Sequence, residues 1–134
     1  MLSDVFRSVP SLQEHGRLLS NDEVENGLRT ILPTSRGQGS CGYHRVAEFD
    51  ATASDREEVI RWFQSLDTPA STVNVYWIEQ REGIRLPLNL FVSYFDDLWF
   101  PSSHDVVVED QESRYLFFLD HEEQFSFWQR NCTL

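Results

Sequence analysis

Apolar residues recur along this chain at two different periods, and the switches between them mark out its elements. Val24, Leu28, Ile31 and Leu32 stand three to four residues apart, the spacing that gives a helix one apolar face. Ser20 and Glu23 precede them as a capping box, in which each side chain satisfies the other residue's backbone amide. A helix is expected over 21–31, stopped by Pro33. Residues 2–19 are interrupted by Pro10 and loosened by Gly16, so only short helical turns are expected there. A further helix, over 55–66, follows from Val59, Ile60, Phe63 and Leu66 on one face with Trp62 beside it, after a second Ser-x-x-Glu run at Ser54–Glu57.

Extended structure is expected elsewhere. Residues 43–50 have a strand-like mixture after the polar, glycine-rich stretch 34–42. Val73, Val75 and Trp77 alternate with Asn74, Tyr76 and Ile78, and 80–83 read as a hairpin turn leading into a second extended stretch over 84–94. Pro87 within that stretch demands a bulge or an edge position, because it has no amide to donate. Short apolar runs at 106–109, 115–119 and 125–128 complete an antiparallel meander. The expectation is a single α+β domain, with N-terminal helices packed on a mainly antiparallel C-terminal β-sheet of about five to six strands.

Charge narrows the function. The net charge of −11 opposes phosphate contacts, so no nucleic-acid partner is expected. The acids are unevenly spread: Asp96, Asp97, Asp105, Glu109, Asp110, Glu112, Asp120, Glu122 and Glu123 stand against Arg114 alone within 96–125. All eleven basic residues are arginine, which excludes lysine nucleophiles and Schiff bases. Two cysteines, Cys41 and Cys132, are too few for a disulfide framework. With no signal-peptide pattern at the start and no apolar run of membrane-spanning length, a cytoplasmic protein without a membrane partner is expected. Asn131, Cys132 and Thr133 match a glycosylation sequon, read as coincidence for the same reason. The pattern leaves oligomeric state open.

Several motifs weaken on inspection. Residues 37–42 match G-x-G-x-x-G, but a dinucleotide site needs a strand before the glycines and a helix after them, and here the order is reversed. Cys41 and His44 supply two of the four ligands a structural zinc site needs, and no orienting group completes a nucleophile–base pair. His104, Asp105, Asp120, His121 and Glu122 are the inventory of a hydrolytic metal site if their strand ends adjoin, although neighbours on a strand point to opposite faces. No cofactor and no catalytic residue is assigned.

The segment 96–105 concentrates paired carboxylates, two aromatics and a proline-fixed turn. Two readings are open for it. Either Leu98, Trp99 and Phe100 fold into the core with Ser102 or Ser103 satisfying turn amides, or the loop presents Trp99 or Phe100 inside an acidic rim. At this segment, and around Trp77-Ile78-Glu79 and Asp120-His121-Glu122, the chain resembles small acidic bacterial proteins carrying an aromatic-Asp-Asp-Leu-Trp-aromatic-Pro-Ser-Ser-x-Asp signature. It is similar to the small α+β immunity factors encoded beside polymorphic toxins, over roughly its C-terminal half. That resemblance implies no catalytic residues. The expected function is therefore a non-enzymatic, immunity-type binding protein that masks a basic protein partner with Asp96, Asp97, Trp99, Phe100, His104, Asp105, Glu122 and Glu123. The alternatives are a small metal-dependent hydrolase using His104 and His121 with nearby carboxylates, or a regulatory subunit of a larger assembly.

Overall fold

In a computed structural model, which describes residues 7–35, 42–100 and 104–130, both long helices begin where a side chain takes over a backbone amide left unpaired by the first turn. After the short α1 (Pro10–His15) and the two-residue β1 (Arg17–Leu18) comes α2 (Asn21–Ser35). Its capping box forms as the spacing predicts: the Glu23 amide donates to Ser20 Oγ (3.2 Å), and the Ser20 amide to Glu23 Oε1 (2.9 Å). Pro33 does not stop this helix, which runs on to Ser35. So near the end, the missing proline amide removes one bond of the last turn and leaves the rest in place.

β2 (Tyr43–Asp50) leads into α3 (Arg56–Ser65), whose cap lies one residue later than the sequence suggested. Asp55 Oδ1 accepts from the Glu58 amide (2.9 Å) and Glu58 Oε1 from the Asp55 amide (3.4 Å), while the Ser54 hydroxyl donates to the Asp50 carbonyl (3.3 Å). A carboxylate is the better occupant, since it adds a favourable charge at the positive end of the helix.

β3 (Thr72–Trp77) and β4 (Glu82–Pro87) form the expected hairpin, from Thr72 opposite Pro87 to Trp77 opposite Glu82. The extended stretch does not reach residue 94. Pro87 closes β4, and α4 (Leu88–Ser93) and α5 (Phe95–Leu98) follow. Leu88, Phe91, Val92 and Phe95 recur at helical spacing, and burying Phe91, Val92 and Phe95 on the sheet outweighs their strand propensity. Helices are thus not confined to the N-terminal half. β5 (Val106–Asp110), β6 (Tyr115–Leu119) and β7 (Gln124–Arg130) complete a sheet of seven strands in the order β1-β4-β3-β5-β6-β7-β2, every pair antiparallel. The count exceeds the expected five to six, and β1, too short to show periodicity, is one of the additions.

Helices cover the sheet on both faces. Val75, Val108, Phe117 and Phe125 point toward α3, α4 and α5, whereas Tyr76, Val107 and Leu116 meet Val24, Leu28 and Ile31 of α2. That is why all five residues of β5 are buried and its sequence reads as a continuous run. Gly27 lets α2 lie close, since a Cβ there would stand 2.3 Å from Tyr76 Oη. On the other face Phe63 is the hub, with ring centroids of Phe117 at 5.1 Å, Phe91 at 6.0 Å and Phe125 at 6.1 Å. Trp77 Nε1 donates to the Leu98 carbonyl (2.9 Å) and pins the end of α5. Among the described residues, no helix is long and apolar enough to cross a membrane.

Two buried acids sit at the end of β5. Asp110 is 1% exposed; burial pushes its carboxyl up, but hydrogen bonds from the Arg114 side chain (2.6 and 3.2 Å) and backbone (3.1 Å) hold it below the ordinary value. Glu109, 8% exposed on the α2 side, accepts from Tyr43 Oη at 2.6 Å. Here burial dominates, and its pKa is raised despite Tyr43 and Arg130.

Phe63→Ala should lower stability by about 3–5 kcal/mol in urea denaturation; a loss under about 1 kcal/mol would contradict the aromatic hub. Asp55→Ala should cost about 1 kcal/mol, with Ser54→Ala clearly milder. For Glu109, a folded pKa above the ordinary 4.5 means the fold prefers the protonated form. Its unfavourable contribution is absent below that ordinary value and grows as pH rises through the raised one. Glu109→Gln should therefore gain stability over the native chain between about pH 4 and pH 7. An unchanged difference across that range would show that the carboxyl is not desolvated.

Candidate partner-binding site

Trp77, Val106, Leu119, Phe125 and Phe49 lie in one row across the sheet, so the segments leaving that row crowd together at one end of the molecule. These are the β3–β4 turn at 78–81, residues 104–105, the β6–β7 turn at 120–123 and the approach to α3 at 51–55. The residues singled out by sequence all fall in or beside them. In the β6–β7 turn, Asp120 Oδ1 accepts from the Glu122 and Gln124 amides (both 2.9 Å), and Glu123 takes a φ of 63°. Asp120 is thus committed to its own turn, with Glu122 exposed and Glu123 half-buried.

Trp99 and Phe100 part company. The backbone at Trp99 is extended (φ −135°, ψ 126°), which sends successive side chains to opposite sides. Trp99 is 5% exposed and packs edge-on to Phe125 at 4.9 Å, so its assignment as an exposed anchor is corrected. Phe100, 47% exposed, is the aromatic at the surface. Its ring lies against His104 (5.4 Å), and its amide donates to His104 Nδ1 (3.2 Å). Partial burial lowers the His104 pKa, against the pull of Glu79, which favours the neutral ring that such an acceptor requires.

Asp105 faces the neighbouring turn. Its Oδ1 accepts from the His121 amide (2.9 Å) and lies 3.0 Å from His121 Nδ1. That hydrogen bond and the charge of Asp105 raise the His121 pKa. The two histidines are therefore held by different partners, and among the described residues no three His, Cys, Asp or Glu side chains group as metal ligands. Cys41, Cys132, Ser102, Ser103, the sequon and all of the glycine motif but Gly42 lie outside the described residues.

Asp96, Trp99 and Glu123 meet Asp55, Arg56, Ala51 and Phe95 around a pocket of about 210 Å³ between α3, α5 and the β6–β7 turn. Arg56 crosses it, its Nε 3.3 Å from Asp96 Oδ2 and its Nη2 donating to the Ser93 carbonyl (2.6 Å). The contributions of Asp55 and Arg56 were not foreseen. The capping pattern identified a helix start, but nothing local says that this start lies beside residues forty to seventy positions away. A second concavity of about 280 Å³ between α3 and α4 is lined by Ile60, Leu88 and Val92 with Gln64 and Asn89, and by no charged group. No family model, curated protein sequence or solved structure matches the chain.

The Asp105–His121 pair contributes to stability below the ordinary histidine pKa and fades as pH rises through the raised one. In an NMR titration, His121 should titrate above the usual histidine range, and Asp105→Asn should return it there. A His121 titration unmoved by the substitution would contradict the pairing.

Proposed function

We propose that this chain is a non-enzymatic binding protein that lays its acidic sheet end over a basic surface of a protein partner, as an immunity protein covers a toxin. The observation that carries this reading is that Asp96, Asp105, Glu122 and Glu123 lie at one end of the molecule, with Asp97 next to Asp96 on α5 and the Phe100 ring exposed. A predominantly negative field raises the encounter rate with a partner of opposite sign, and an exposed aromatic inside a polar rim supplies the desolvated contact that slows dissociation. The resemblance of the Asp96–Asp105 segment to immunity-type proteins points the same way. This reading takes the chain to act in the cytoplasm, where its two cysteines would stay reduced.

The test uses a basic protein recovered with the chain from its native source. Asp97 and Glu122 are the acids to reverse, because Asp96 is tied to Arg56 and an arginine there would set two guanidinium groups together. Asp97→Arg with Glu122→Arg should slow association at low salt, and the effect should shrink at physiological ionic strength, where the screening length is about 8 Å. Phe100→Ala should leave stability nearly unchanged and raise the dissociation rate, about tenfold for a loss of 1.4 kcal/mol. Association at low salt indifferent to both reversals would sink the acidic-mask reading.

A further inference from the structure

The two edges of the sheet are finished differently. β1 is two residues long, too short to take on another strand. β2 presents eight residues, Tyr43–Asp50, and among the described residues β7 is the one strand paired with it. Edges are commonly blunted by lysine, proline or brevity, and β2 has none of these. It has a bulge at Val46, where the register with β7 shifts between Arg45 and Ala47. The extra residue resets the alternation of faces. Tyr43 and Arg45 lie on the α2 side, Arg45 with its guanidinium 5.9 Å from the centre of the Trp128 ring, while Ala47 and Phe49 pack on the α3 side. Glu48 returns to the α2 side, which is why it reaches Arg45 at 2.7 Å.

That order of faces and charges is self-complementary. A second copy of β2 laid antiparallel, about a two-fold axis between Val46 and Ala47, sets Arg45 opposite Glu48 of the second copy and Glu48 opposite Arg45 of the second copy. The flanking pairs then also match in face: Tyr43 with Asp50 on the α2 side, and His44 with Phe49 on the α3 side. Registers that oppose Arg45 with Arg45, or Glu48 with Glu48, set like charges together. A regular strand from another protein would meet the bulge one residue short, whereas two bulges related by the axis lie opposite each other. The bulge thus blunts this edge toward other strands and admits its own copy. Pairing would also shield Val46, 48% exposed, and the half-buried Phe49 stacked on Trp62 at 5.3 Å. We propose that this chain forms a two-fold dimer by antiparallel pairing of β2 with β2 of a second copy, joining the two sheets into one. The dimer requires nothing of the acidic end or its partner.

One strand pair makes an interface at the small end of the specific range, below roughly 1,200 Å², so the dimer should be weak, with a Kd on the order of 10 μM. Sedimentation equilibrium of the intact protein from about 1 μM to about 1 mM should show monomer converting to dimer. Glu48→Arg places arginine opposite arginine twice and should raise the Kd about tenfold or more, and Arg45→Glu should do the same with two pairs of carboxylates. The double exchange, Arg45→Glu with Glu48→Arg, opposes unlike charges again and should return the Kd to within about threefold of the native value. Both positions are exposed, so each variant should keep its fold, which circular dichroism checks. A chain that stays monomeric at the highest concentration, a dimer indifferent to the single changes, or a double exchange no tighter than either single change overturns the proposal.

Discussion

Val106, Val107 and Val108 occupy consecutive positions at the centre of the sheet, and consecutive positions point to opposite faces, so neither face of β5 can be left in water. The rest of the fold answers that demand. On one face α2 lies down through Gly27, bringing Val24, Leu28 and Ile31 onto Tyr76 and Leu116. On the other, α3 and the α4–α5 pair close over Phe117 and Phe125, with Phe63 at the meeting point. The second covering explains why residues 88–98 are helical: an extended segment there would have left that face partly bare.

Covering both faces has a consequence for charge. Acids are expelled to the ends of the strands, where turns reach solvent. At one end Glu109 and Asp110 are drawn inward and held by Tyr43 and Arg114. At the other, Asp120 is used by its own turn and Asp105 by His121, but among the described residues no hydrogen bond or ion pair engages the side chains of Asp97, Glu122 and Glu123. The surface is thus divided into carboxylates that build the fold and carboxylates that are free to meet something else. The binding reading rests on the second group, together with the exposed ring of Phe100.

Much of the architecture was legible from the chain. Capping and helical spacing located α2 and α3 to within a few residues, alternation located β3, and short apolar runs located β6 and β7, because these signals depend on near neighbours. Residues 88–94 were misjudged because Leu88, Leu90, Phe91 and Val92 suit a strand as well as a helix when read locally. Only the uncovered sheet face decides between them. For the candidate site, sequence found the segment 96–105 and the β6–β7 turn but could not join them to Asp55 and Arg56, since that proximity is made by strand register. It also could not decide between Trp99 and Phe100. The choice depends on which side of one extended residue faces Phe125, and that is a property of the packed molecule. What the sequence determined is the material: two helices with their starts, a sheet-forming half, and an excess of negative charge. What the tertiary structure decided is the gathering of that charge around one pocket and one exposed ring, because long-range pairing sets distances that local patterns do not encode.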